Sequence, residues 1–354
     1  MKKSAQKQTV WKRLSGYLKA YRLRLFLVLL FASASTVFTC LAPFVIGKVT
    51  TALFDSVRDG VFYWETVLWL LGALVCLYLI SQFFSFLQGF HMARITANVM
   101  GKLRSDIDNK MHRLKLNYYD THTHGDILSV ITNDVDTINN AVSQNLTSIV
   151  TQVITAAGIL LMMLFISPRL TLIPVIMVPL SLLSAAGVMK AGGRHYGRQQ
   201  ELLGQLNGYI EEMYNGQQVV QAFSYQEHAK SEFHALNQKL RRSSYKAETT
   251  TGAVSPITTL VNDMGYVVCA AIGCLQAIAG GIAVGNVQAM LEYTRRFAEP
   301  FTSLAGMAGS FGAAKAAGDR IFTLLDAEEE LPDEENGIIP QDRSGSVTFK
   351  NVRF

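Results

Sequence analysis

The chain has 354 residues, 49% of them hydrophobic and 17% charged, with a formal net charge of +5 and a mean hydropathy of +0.22. A soluble chain of this length is expected to hold about two domains, but so little charge among so much apolar residue points instead to a polytopic membrane protein. The cations follow a topological bias rather than forming a patch, which excludes nucleic acid as a partner.

Residues 9–22 place Trp11, Leu14, Leu18 and Tyr21 on one helical face and Lys12, Arg13, Lys19 and Arg22 mostly on the other. That pattern predicts a helix lying in the membrane interface; the alternative is the frayed cytoplasmic start of the first span. Charge-poor runs near the ~20 residues that cross a bilayer follow at 25–47, 66–90, 146–166, 170–189 and 256–282, the last with only Asp263 charged. A sixth, 284–312, is apolar but carries four charges. Lys and Arg concentrate before the first run and in the segments 91–144 and 190–255. The termini and both long segments are therefore expected on the cytoplasmic side.

Pro43 predicts a kink or exit in the first run, followed by a short outer loop over 54–64. Beyond the second run no proline interrupts residues 90–115, so the helix is expected to continue about 39 Å past the membrane. It ends at the polar stretch 117–136. Ile127, Ile131, Val135, Ile138, Val142, Leu146 and Ile149 then mark one face of a returning helix, with Thr123 or Asp126 as its cap. The second long segment repeats the plan: Leu203, Leu206, Ile210 and Met213 descend, Tyr214-Asn215-Gly216 turns, and Phe233, Leu236 and Leu240 ascend.

In the sixth run Glu292, Arg295, Arg296 and Glu299 share one helix face, where Glu292–Arg296 and Arg295–Glu299 pairs are expected. Each unpaired charge facing lipid costs about 3 kcal/mol, so these groups should line a translocation pathway or form a structural ion-pair network. Pro300 is expected to kink the helix just below. Cys40, Cys76, Cys269 and Cys274 lie in apolar runs without CxxC spacing and read as packing residues. His122 and His124 flank Thr123 but have no neighbouring Cys, a weak case for a metal. No phosphate-binding or hydrolytic signature occurs, so no catalytic residue is assigned. Residues 326–345 are acidic and read as a linker. Residues 346–354 alternate like a strand and are expected to open a domain that the nine residues cannot complete.

These features together resemble type I ABC exporters. The resemblance rests on Tyr118-Tyr119-Asp120, Gly125-Asp126-Ile127, Asn133-Asp134-Val135, Gly208-Tyr209-Ile210-Glu211-Glu212, Asn215 through Phe223, Val284-Gly285-Asn286, and the run Ala317 to Asp326. It implies an all-α polytopic fold with six transmembrane helices and long cytoplasmic extensions. The implied division is an elbow helix over 1–22, a membrane domain over 23–325, the linker, and the first strand of a nucleotide-binding domain.

The resemblance also makes the two tips coupling elements that dock on nucleotide-binding domains. Tyr118, Tyr119, Asp120, Gly125, Asp126, Asn133 and Asp134 would serve the first tip. Glu211, Glu212, Tyr214, Gly216, Gln217, Val219, Val220 and Phe223 would serve the second. Tyr293, Phe297, Pro300 and Phe301 would join Glu292, Arg295, Arg296 and Glu299 along a pathway for amphipathic drugs, lipids or peptides. The implied partners are a like or related half-transporter, the nucleotide-binding domains of both subunits, and membrane lipids. ATP and Mg would act in the full-length protein, with no cofactor bound by residues 1–354 alone. The implied location is a bacterial plasma membrane. Two other classes stay open: a membrane-anchored scaffold or sensor, and an ion-coupled carrier using Asp263 and the 292–299 face.

Overall fold

The computed structural model describes residues 9–330, 345 and 347–353. Among them, regular structure is helical, with one isolated bridge between Leu114 and Glu329. Five helical stretches are long and apolar enough to cross a membrane: Arg22–Asp59, Trp64–Met111, His124–Ile166, Pro168–Asn215 and Gln226–Ile278. In their most apolar windows only 11–28% of residues are buried, and large side chains such as Phe26, Trp69, Phe165 and Ile278 point outward. A surface this apolar is stable against lipid and not against water. The sixth expected span is helical but broken: α12 (Val284–Phe297) and α13 (Glu299–Leu325) meet at Ala298. It is not among those five.

The described residues fall into two compact units, one within 1–18, 97–140 and 313–354, the other within 19–96 and 141–312. The larger unit is built on α2 (Arg22–Asp59), α7 (Leu146–Ile166), α8 (Pro168–Asn215), α11 (Val254–Ile278) and α12. Its core joins Cys40, Ile159, Met163, Leu170, Cys269, Met290 and Tyr293. Where α2 crosses α12, Gly47 faces Gly285, and Gly285 N–H donates to Thr51 Oγ1 at 3.2 Å. Small residues at such a crossing let backbones touch. Ser167 caps α8 and Pro168 starts it, a position where the missing N–H costs nothing.

Of the kink or exit expected at Pro43, the exit does not occur: α2 runs through it to Asp59. The ring removes one donor, but with no water to take other freed backbone groups, continuing the helix satisfies the rest. Gly60, with φ 67°, ends it, so the expected outer loop shrinks to residues 60–63.

In the smaller unit, α1 (Val10–Lys19) buries Val10 and Leu14. The apolar face read as membrane-facing is thus partly covered by protein, because a Cβ on Gly318 of α13 would already collide with Val10. The Arg13 guanidinium lies 4.2 Å over the Phe322 ring and pairs with Asp326 at 2.6 Å. Tyr17 donates to Asp106 at 2.7 Å, and its hydroxyl titrates above the ordinary tyrosine range through burial and then that carboxylate.

The start of the acidic linker is pinned in the same unit. Lys110 bonds Glu329 at 2.8 Å and Lys115 pairs with Glu328 at 3.0 Å. The Lys110 contact holds Glu329 below the usual carboxylate range. The stabilisation this pair provides is complete above the unfolded carboxylate pKa and fades as pH falls through the lowered folded value. Most of the linker, residues 331–344, lies outside the described residues. Residues 347–353 form no strand: a lone strand has no ladder partner, and Val347 and Phe349 remain exposed.

Candidate functional site

The first tip grows from the end of α3 (Trp64–Met111), whose last carbonyls need partners. Tyr119 supplies one, donating to Met111 O at 2.7 Å. Helix α4 (Leu116–Thr121) then carries Tyr118, whose ring stacks on His122 at 4.1 Å; burial, and then Tyr119 beside it, raise the Tyr118 hydroxyl pKa. Asp120 is exposed. Thr123 caps α5 (His124–Ser129) by accepting from Asp126 N–H at 3.1 Å and donating to Asp126 Oδ2 at 2.7 Å. Both candidate cap residues therefore take part. A Cβ on Gly125 would meet only Thr123 Oγ1 at 3.9 Å, so nothing steric here demands glycine.

The returning helix is continuous but contains two π turns, Val130–Asp134 and Ala141–Asn145, on either side of α6 (Val135–Asn140). A π turn adds a residue and rotates the next helical turns relative to those before it. Ile127, Val135, Ile138 and Val142 are buried as the spacing predicts, whereas Leu146 is exposed and Asn145 and Thr147 turn inward. Asn133 donates to Ser129 at 3.3 Å. Asp134 is 1% exposed and pairs with Arg320 of α13. That partner, 186 residues away, was missed by sequence reasoning. The available signal was Asp134 at i+7 from Ile127, a carboxylate on an apolar face, which requires a charged or hydrogen-bonding partner.

At the second tip α8 ends at Asn215, Gly216 N–H bonds Glu212 O at 2.9 Å, and α9 (Gln217–Ala222) comes next. Tyr209 ties α8 to α10 (Gln226–Gly252) by donating to Ala229 O at 3.0 Å. Of the expected stripe, Leu206 is buried and Leu203 is not; Leu202 takes the inward place, one residue round the helix. Glu211, Glu212 and Gln217 are exposed and Val220 is half-buried. Tyr214, Val219 and Phe223 stand 77%, 60% and 80% exposed, so the tip presents apolar side chains that the unit does not use. Ser224 holds φ at 52°, a conformation glycine adopts without strain. Ser224→Gly is expected to raise stability by about 1 kcal/mol, read as a higher melting temperature.

On α12, Arg296 bonds Glu292 at 2.7 Å, as the spacing predicts. The second expected pair is not formed: the helix break at Ala298 falls between Arg295 and Glu299, and Arg295 instead lies 4.9 Å over the Tyr266 ring. Tyr293 is fully buried and donates to Cys40 O at 2.6 Å. Phe297 is 5% exposed and meets Phe301 edge-on at 5.4 Å. Tyr293 and Phe297 both belong to the core of the larger unit. Pro300 occupies the first turn of α13, consistent with the break. Among the described residues no group of three His, Cys, Asp or Glu is placed to hold a metal ion.

Residues 25–301 match the family model of the ABC transporter transmembrane region. The chain is 32% identical to an uncharacterized ABC transporter ATP-binding protein of Bacillus subtilis, YfiC, over 97% of this chain and 56% of that protein. It is 34% identical to a fatty acid ABC transporter ATP-binding/permease protein of Mycobacterium bovis, over 80% and 45%. It is 26% identical to an ATP-dependent lipid A-core flippase of Vibrio vulnificus, over 76% and 46%. The chain thus spans about half the length of the curated relatives it matches. With a continuous match over most of its length and helices of membrane-crossing character, the chain belongs to the ABC transporter transmembrane region family.

Proposed function

We propose that this chain is the membrane permease part of an ATP-driven exporter that moves amphipathic substrates, lipids or fatty acids foremost, by alternating access. It works as a dimer with a like or related chain in a bacterial plasma membrane, with both hairpins and both termini cytoplasmic. ATP and Mg act at the nucleotide-binding domains. The two tips, α4–α5 and α9, dock on those domains and transmit their closure. Glu292, Arg295, Arg296 and Glu299 line the pathway, where charges deep in a membrane helix need water or a polar headgroup. Names of relatives that handle fatty acids and lipid A support the substrate class.

The observation that carries this reading is the cluster of apolar side chains at tip two, led by Phe223 at 80% exposure. An unused apolar patch flanked by acidic residues marks a binding surface. In the full-length protein with native cysteines replaced, a maleimide is expected to label Phe223→Cys at least tenfold more slowly than Tyr245→Cys, a site 73% exposed on α10. Equal rates would show that nothing covers the tip.

A further inference from the structure

At the end of the α2–α3 pair nearest the N-terminus, the larger unit presents two arginines that no carboxylate answers. Arg24 and Arg94 are both exposed, and among the described residues neither forms a hydrogen bond or an ion pair. The Arg94 guanidinium lies 4.2 Å over the Phe90 ring, a contact that steadies the group and leaves its N–H donors free. We propose that Arg24 and Arg94 together hold the phosphate of an anionic phospholipid in the leaflet on that side of the membrane. Such a lipid site requires only that α2 and α3 cross the membrane, whatever the chain transports.

The two helices bring these cations to one place. The Phe31 ring of α2 lies 5.9 Å from Phe84 and 5.8 Å from His91 of α3, and farther along Ser35 and Thr39 meet Ser81 at 3.1 and 2.8 Å. The helices therefore run antiparallel and side by side, with Phe31 level with residues 84–91. Arg24 stands seven residues before Phe31 and Arg94 three after His91, spacings that return to the same helix face. At 1.5 Å per residue both lie beyond the aromatic contact, about 10 and 5 Å along their axes, so that one phosphate between the helices is within reach of both. No Asp or Glu occurs from residue 1 to 54 or from 66 to 105, and α7, which packs beside α2, is uncharged throughout. Cations left unneutralised at a low-dielectric boundary attract anions.

The surroundings identify the occupant. Arg24 stands just before the charge-poor run 25–47 and Arg94 just past the run 66–90, which is headgroup depth for spanning helices. Toward the membrane interior the same end of the pair exposes Phe26, Phe83 and Phe86, a surface that acyl chains cover and a soluble anion does not. A zwitterionic lipid brings an ammonium group against the two guanidiniums. A lipid with an uncompensated phosphate brings none, and its oxygens match the fork of donors that each arginine offers.

The test uses the full-length protein with a single tryptophan, in vesicles of equimolar phosphatidylcholine and phosphatidylglycerol where one lipid or the other carries brominated chains that quench fluorescence. With the tryptophan at Phe86→Trp, one turn from Phe90, phosphatidylglycerol is expected to be favoured about fivefold or more, since each arginine at the membrane surface adds to anionic-lipid binding. With native Trp69, near the opposite end of α3, the two lipids should quench about equally. Arg24→Gln/Arg94→Gln should bring the Phe86→Trp preference down to the Trp69 level, and with both arginines present raised salt should weaken it. Quenching of Trp69 in the double variant separates lost binding from lost insertion, and the salt series needs no variant at either arginine. A preference equal at both reporters, or one that survives the double substitution and raised salt, would overturn the site. Loss of the preference on adding inorganic phosphate at matched ionic strength would overturn the lipid assignment in favour of a soluble phosphate. Equal quenching by the two lipids at Phe86→Trp would overturn it too, and would mean that protein covers the arginines.

Discussion

Gly285→Ala is expected to destabilise the folded protein by about 3 kcal/mol or more. An added Cβ at this position would fall onto the Gly47 carbonyl oxygen and Thr51 Oγ1. The obstacle is the backbone of α2, which cannot rotate aside as a side chain does. Relief requires separating α2 from α12, breaking the Gly285–Thr51 bond and the seat of Tyr293 on Cys40 O. Overpacking commonly costs about 1–3 kcal/mol, and a backbone obstacle places this case at or above the top of that range. Against a total stability of about 5–15 kcal/mol, that loss is large. Gly158→Ala, whose Cβ would meet only the Cys40 side chain, Sγ at 3.0 Å and Cβ at 3.5 Å, should cost less, and Gly89→Ala, with nothing within 4 Å, should be neutral. Thermal melting of the three solubilised variants checks the order. A Gly285→Ala protein that melts like Gly89→Ala would mean that the α2–α12 crossing is not this close.

Arg320→Gln is the second large effect, because it strands the Asp134 carboxylate. Breaking a buried pair by removing one partner costs about 3–5 kcal/mol. The lower end applies, since the Arg320 side chain is 63% exposed while that of Asp134 is 2% exposed, and solvent screens the pair from the arginine side. Arg104→Gln, which frees the exposed Asp136 from a 2.7 Å pair, should change stability by less than about 1 kcal/mol. Comparing the two melting temperatures isolates burial from mere pairing. Equal shifts would deny Asp134 its buried role.

The sequence made the spans legible because charge-poor length is a local property. It also located both tips, where Thr123 and Gly216 interrupt helical runs in the way short-range capping rules anticipate. What it hid was everything set by contacts distant in the chain or by one-residue phase. Pro43 reads as a kink or exit because proline usually breaks helices in water; in lipid the neighbouring backbone has no alternative to continuing the helix. Arg295 and Glu299 have ideal spacing for a pair, and only the break at Ala298 separates them. Leu146 has ideal spacing for the returning stripe, and two π turns move it out. The partner of the Tyr293 hydroxyl, the Cys40 carbonyl, lies 253 residues away. The fit of Val10 against Gly318 likewise could not be read from α1 alone.

The central claim, that the hairpin tips join a permease to an ATP-driven motor, is tested most directly by the stoichiometry of a Phe223→Asp protein. The full-length chain is placed in lipid vesicles, and ATP hydrolysis and substrate movement are measured together. A charge at a side chain 80% exposed should leave the fold intact and spoil an apolar contact. The predicted result is continued ATP hydrolysis with transport per ATP reduced about tenfold or more, the loss expected when about 1.4 kcal/mol or more of coupling is removed. Hydrolysis and transport both at wild-type levels would contradict the account.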